Sequence, residues 1–124
     1  MEPIFICCKH LLFAKGLHRL LAEQVPALSA ITIVDEAQLT RSLQQYPPPP
    51  LIIHQLDMRE DDLRHFKSLQ THISPQIKLL IVADDITAAS KLIHRDPRFT
   101  CFLDVRANEL AFTRMIKLMM SPNS

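Results

Sequence analysis

Short apolar runs recur along the chain at a regular spacing, and segments of helical periodicity separate them. The runs are rich in β-branched residues and cover residues 4–8, 30–34, 51–56, 79–83 and 100–103. They do not alternate polar and apolar side chains, so we expect both faces of these strands to be buried, as in a parallel sheet.

The segments between the runs have the spacing of amphipathic helices. In the first of them, apolar side chains follow an i, i+4, i+7, i+8 pattern at Phe13, Leu17, Leu20 and Leu21. Three later helices begin at side chains that can cap a first turn: Asp35 in a capping box with Gln38, Asp84 or Asp85, and Asn108. Five strands that alternate with five helices predict an α/β protein, a (βα)5 flavodoxin-like three-layer sandwich with the parallel sheet order 2-1-3-4-5.

Glycine is scarce in this chain. The 124 residues include one glycine, Gly16, beside nine prolines, whereas average usage would give roughly nine glycines. This excludes the Gly-rich loops that bind phosphate in P-loop and dinucleotide-binding proteins. Gly16 falls inside the first predicted helix, where glycine costs about 1 kcal/mol relative to alanine. We therefore expect that helix to pack closely against a neighbour at Gly16.

The charge balance and the cysteine content restrict the partners and the compartment. A net charge of +1 gives no extended field for nucleic acid or an anionic membrane. The apolar runs are too short to span a bilayer. Three cysteines (Cys7, Cys8 and Cys101) cannot pair completely, and the chain starts without a basic export signal. These features predict reduced thiols in a cytoplasmic protein.

The segment over residues 8–17 resembles the start of the receiver domains of bacterial response regulators. The similar subgroup precedes a LuxR-type helix-turn-helix, and its segment typically reads Asp-Asp-His-Pro-Leu-Phe-Arg-Lys-Gly-Leu. Six of the ten positions match here, namely His10, Leu12, Phe13, Lys15, Gly16 and Leu17.

Two further segments match the same family in register. Residues 51–58 are similar to the phosphoacceptor strand, with Gln55 in place of the aspartate, and Glu109-Leu110 resembles the start of the last helix. The resemblance implies one receiver-like domain over residues 1–120, with residues 121–124 as the start of a linker or tail.

The resemblance also implies a phosphoacceptor pocket whose chemistry this sequence lacks. In the family, this pocket has two acids after the first strand, a nucleophilic aspartate at the end of the third, a hydroxyl after the fourth and a lysine after the fifth. At these places this sequence has, in the same order, Cys8 and Lys9, Gln55, Ala83 and Val105. Glutamine cannot form an acyl phosphate, and magnesium requires oxygen ligands. We therefore predict a degenerate pocket with no enzymatic activity, metal, cofactor or small-molecule ligand. Lys9 is expected to contact Asp57 or Asp104 and to lock the loops without phosphate.

By resemblance, the function is that of a phosphorylation-independent pseudo-receiver. It would be the regulatory and dimerisation module of a LuxR-type transcription regulator, binding DNA only through a helix-turn-helix that lies outside these residues. The fifth helix carries more apolar bulk than one buried stripe needs, which predicts an interface for a homodimer or for a second regulator at Phe112, Met115, Met119 and Met120. The alternatives are a standalone adaptor and a small phosphocarrier with its cysteine after the first strand.

Overall fold

Strands and helices alternate along the chain in the computed structural model, which describes residues 4–26 and 30–121 apart from the side chains of Glu60 and Asp61. The strands are β1 (Ile4–Cys7), β2 (Ile31–Val34), β3 (Leu51–Leu56), β4 (Lys78–Ala83) and β5 (Thr100–Asp104). The helices are α1 (Leu11–Gln24), α2 (Glu36–Gln45), α3 (Glu60–Gln70), α4 (Ile86–Leu92) and α5 (Glu109–Met119). Each predicted strand and helix is present, and the observed ends of the strands differ from the predicted ends by at most one residue. Residues 122–124 of the predicted linker or tail lie outside the described part.

All strand pairs are parallel, and the sheet order is β2-β1-β3-β4-β5, which confirms the predicted fold class. Strands β1 and β3 are buried along their whole length. The edge strands β2 and β5 are only partly buried. The expectation that every strand is buried on both faces is therefore wrong at the edges, because an edge strand has a neighbour on one side only.

Helices cover both faces of the sheet and give a three-layer sandwich. One core lies under α2, α3 and α4, and the other lies under α1 and α5. Strand β3 serves both cores, since Ile52 and Leu56 point to the first and Leu51 and Ile53 to the second. This alternation is the period-two geometry of a central strand. In the described residues, no helix has the length and apolar content needed to cross a bilayer.

Side-chain caps begin three of the helices as the sequence indicates. Asp35 accepts a hydrogen bond from the backbone N–H of Gln38 at 2.7 Å, and the Gln38 side chain accepts from the Asp35 N–H at 2.9 Å. Asp85 caps α4 and Asn108 caps α5. Because these caps fix the helix starts, they also fix where the loops at the carboxyl edge of the sheet end.

The backbone avoids left-handed conformations. None of the described residues has a positive φ angle, and this includes Gly16. Gly16 is exposed, and a Cβ built on it would meet no atom within 4 Å. The predicted close packing at Gly16 is therefore wrong. The buried face of α1 is formed by Ala14, Leu17 and Leu21, and Gly16 lies beside that stripe rather than on it.

The apolar bulk of α5 goes mainly into the core. Phe112 and Met119 are each only 4% exposed, and Met115 and Met120 are partly buried against the same cluster. Phe112 packs edge-on against Phe13, with ring centroids 6.0 Å apart. The predicted interface is therefore wrong for Phe112 and Met119, because their side chains pack into the core under α1 and α5.

Candidate functional site

The loops after β1 and β3 meet at the carboxyl edge of the sheet. The strand order reverses between these two neighbours, and ligands of open α/β sheets bind at this switch point. The predicted pocket residues Cys8, Lys9, Gln55 and Asp57 lie here. Their contacts with one another decide what this edge can do.

Gln55 stands at the end of β3, where receiver domains carry the phosphoacceptor aspartate. Its side-chain nitrogen donates to Asp57 Oδ1 at 2.8 Å, and its side-chain oxygen accepts from the Cys8 thiol, with Sγ at 3.6 Å. Gln55 is buried as well. Both ends of the amide are therefore engaged inside the protein, and the position offers no nucleophile.

The Lys9 ammonium contacts the carboxylate of Asp62, the third residue of α3. This hydrogen bond raises the pKa of Lys9. The predicted partner was Asp57 or Asp104, so the expected ion pair exists with a different acid. The contact joins the β1–α1 loop to α3 across the switch point.

Asp57 is held by its own neighbours rather than by Lys9. The Nε2 atom of His10 lies 3.2 Å from Asp57 Oδ2, and Gln55 occupies the other oxygen. Burial raises the pKa of Asp57, but the hydrogen bonds from Gln55 and His10 outweigh it and leave the pKa below its usual value. Asp57 is therefore an ionised acceptor that ties the two loops together.

The other predicted positions lie further along the same edge, after β4 and β5. Asp104 binds Arg106 through both carboxylate oxygens, at 2.8 and 2.9 Å, and these hydrogen bonds lower the pKa of Asp104 to about 2. The backbone N–H of Val105 donates to the carbonyl of the buried Ala83 at 2.9 Å. Ala83, Asp104 and Val105 thus join β4 to β5 and make no contact with Lys9.

Two further acids contribute contacts to this edge. Asp84 follows β4 and accepts a hydrogen bond from the backbone N–H of Met58 at 3.2 Å, so it links the loop after β4 to the loop after β3. Asp62 lies in the first turn of α3. Acids are common in the first turns of helices because of the helix dipole, so its position in the sequence carried no specific signal.

The donor set at the edge does not fit magnesium. A receiver-type site needs several hard oxygen ligands around the ion, whereas here the first two positions are a thiol and an ammonium group. Burial raises the pKa of the Cys8 thiol and raises that of Cys7 to about 12, so both stay protonated at neutral pH. Over residues 4–26 and 30–121, no three His, Cys, Asp or Glu side chains converge in an arrangement that could hold a metal ion.

The fold and this edge together define the class of protein. A five-stranded parallel sheet in the order β2-β1-β3-β4-β5, with helices on both faces, is the flavodoxin-like α/β fold of receiver domains. In this chain, side chains at the carboxyl edge beside the switch point hydrogen-bond to one another.

Solved structures share this receiver-like fold at low sequence identity. A pilus assembly protein CpaE from Caulobacter crescentus gives a TM-score of 0.69 with 18% identity, over 96% of this chain and 99% of that chain. A CpaE2 pilus assembly protein from Sinorhizobium meliloti gives 0.68 with 11% identity, over 95% and 99%. The signal receiver domain of NarL from Mycobacterium tuberculosis gives 0.59 with 12% identity, over 93% and 92%. No family model and no curated protein sequence matches the chain.

Proposed function

We propose that the chain is a phosphorylation-independent pseudo-receiver without enzymatic activity, a regulatory module whose output is contact with another protein chain. The observation that supports this most directly is the Gln55 amide, which is bound by Asp57 on one side and Cys8 on the other. The Lys9–Asp62 pair supports it further, because it places an ammonium group at the edge where a receiver would hold a metal ion.

The regulatory setting favoured by the sequence is a LuxR-type transcription regulator of the bacterial cytoplasm. The similarity of residues 8–17 to that subgroup supports it. In this setting the chain would form a homodimer, or a heterodimer with another regulator, and a helix-turn-helix would bind DNA.

A second setting is favoured by the structural comparisons. The CpaE proteins give TM-scores of 0.69 and 0.68, against 0.59 for the NarL receiver domain. The structural match extends over 99% of each of the two CpaE chains. In this setting the chain would be a receiver-like interaction module of an assembly protein, with no role in DNA binding. An in-frame helix-turn-helix downstream of residue 124 in the coding sequence supports the first setting, and a different downstream sequence opposes it.

A phosphocarrier role fits the structure less well. Transfer through a cysteine requires a thiolate, and burial raises the pKa of Cys8. The bulky apolar side chains of Leu11 and Leu12 follow directly in α1, where a phosphate-binding loop would need backbone amides free to face the anion.

A thermal-shift experiment tests the central proposal. The melting temperature is measured with and without Mg²⁺ and beryllofluoride, which mimics the acyl phosphate, and a receiver with its acids intact serves as the positive control. We expect no change for this chain, since it lacks the carboxylates that bind both groups. A rise in melting temperature that requires both additives would refute phosphorylation independence.

A further inference from the structure

A run of four prolines, residues 47–50, joins the end of α2 to the start of β3. Proline fixes φ at about −65°, and a residue that precedes proline is restricted to extended ψ values. Every peptide bond of the described residues is trans, and Tyr46, the residue before the run, has φ −125° and ψ 162°. The covalent chemistry of the run therefore holds it as a left-handed polyproline II helix.

The folded domain holds this helix at both ends. Before it, the backbone N–H of Tyr46 donates to the carbonyl of Ser42 in the last turn of α2 at 3.0 Å. After it, Leu51 is the buried first residue of β3, and Pro49 is buried as well. A partner that binds the run would therefore meet a conformation that is already fixed, and little entropy would be lost in ordering it.

Most of the run faces solvent. Residues three apart share a face of a polyproline II helix, so Pro47 and Pro50 lie on one face, whereas Pro48 and Pro49 lie on the two others. The face of Pro49 is buried, but Pro47 and Pro48 are exposed and Pro50 is partly exposed. The ring of Tyr46 is 65% exposed directly beside them. An open aromatic ring next to two open proline faces is a surface that polyproline-binding domains can recognise.

The surroundings of the run are uncharged. No Asp, Glu, Lys or Arg occurs over residues 42–56. A groove of about 460 Å³ lies beside the run, with Pro48 and Pro50 in its wall. Among the described residues that line it, the one charged side chain is Lys78, whose ammonium group is hydrogen-bonded to the carbonyl of Met119. This surface therefore fits a partner groove of aromatic and apolar side chains rather than a charged pocket.

We propose that residues 46–50 bind a partner protein through an aromatic-lined groove of the kind that recognises polyproline II helices. The Tyr46 ring and the open faces of Pro47 and Pro48 pack against the aromatic rings of that groove. The surface lies at the amino edge of the sheet, at the opposite end of β3 from Gln55. The inference rests on the proposed regulatory module and names the kind of chain that the module would contact.

Titration of the isotope-labelled full chain with an EVH1 domain, which has such a groove, tests the proposal by NMR. We expect shifts centred on Tyr46 and Leu51 and a Kd below about 1 mM. Tyr46→Ala should weaken binding at least about fivefold, because aromatic anchors dominate such contacts. Pro48→Ala should also weaken it, because it frees the backbone and removes a contact. Pro97→Ala, at an exposed proline before β5, is the matched control and should leave the Kd unchanged.

A synthetic peptide of residues 44–51 provides the comparison with a flexible chain. It should bind the EVH1 domain no more tightly than the full chain, because the fold already holds the run extended. A peptide that binds more tightly would show that the fold obstructs the surface, and would overturn the proposal.

Two other results would overturn the proposal and leave the proposed function in place. One is the absence of binding to the full chain up to about 1 mM. The other is a Kd that neither Tyr46→Ala nor Pro48→Ala changes, while circular dichroism shows that both variants are folded. Binding of Mg²⁺ and beryllofluoride would instead refute the proposed function and leave this surface unaffected.

Discussion

His54 makes the stability of the protein depend on pH. It lies in the middle of β3, is 2% exposed, and packs edge-on against Phe66 with ring centroids 4.9 Å apart. Neither ring nitrogen has a hydrogen-bond partner among the described residues. Burial lowers the pKa of His54 from 6.5 to about 4, with smaller opposing effects of the Gln55 backbone and of the Asp62 charge.

The sign and size of the effect follow from proton binding. Between about pH 6.5 and pH 4 the unfolded chain binds a proton at His54 and the folded chain does not, so stability falls as the pH falls. At about 1.4 kcal/mol per pH unit, the gap from 6.5 to about 4 corresponds to a loss of about 3 kcal/mol. This is a large share of the roughly 5–15 kcal/mol that stabilises a typical domain.

Urea unfolding of the wild type and of His54→Leu, at several pH values between neutral and about 4, measures the effect. The variant should lose about 3 kcal/mol less than the wild type over this range, because it has no buried group to protonate. His72→Gln is the matched control, since it removes an exposed histidine and leaves the buried ring of His54 in place. If the free energy of unfolding falls by the same amount with pH in the wild type and in His54→Leu, the reasoning is refuted.

Three other substitutions have defined outcomes. Gly16→Ala should raise the free energy of unfolding by about 0.5–1 kcal/mol in denaturant titrations, because alanine favours the helix and the space is open. Lys9→Met should lower it by up to about 1 kcal/mol, less at high salt, since the Lys9 side chain is 53% exposed in its pair with Asp62. Arg106→Ala should raise the pKa of Asp104 from about 2 toward its ordinary value, as measured by NMR titration of the carboxyl carbon.

The fold was predictable because its signals are local. Apolar runs without alternation indicate parallel strands, and the caps at Asp35 and Asn108 act within one helical turn. The position of Gln55 in β3 was also predictable, because it follows from the apolar run over residues 51–56 and does not depend on the contacts of its side chain.

The contacts between distant segments could not be predicted in the same way. Which acid contacts Lys9 depends on how α3 is placed over the sheet. The sequence alone does not distinguish Asp57 from Asp62 as the partner. The burial of Phe112 depends on how α1 packs beside α5, which the apolar stripe of one helix does not reveal. The openness around Gly16 likewise depends on the neighbouring helix rather than on α1 itself.

The absence of positive φ angles has a consequence for the evolution of this domain. No described residue has a left-handed backbone conformation, so none of the described loops requires glycine. Substitutions in the loops after β1 and β3 can therefore accumulate without refolding the chain. A scaffold with this freedom can exchange a catalytic edge for a recognition edge one residue at a time, and keep its sheet throughout.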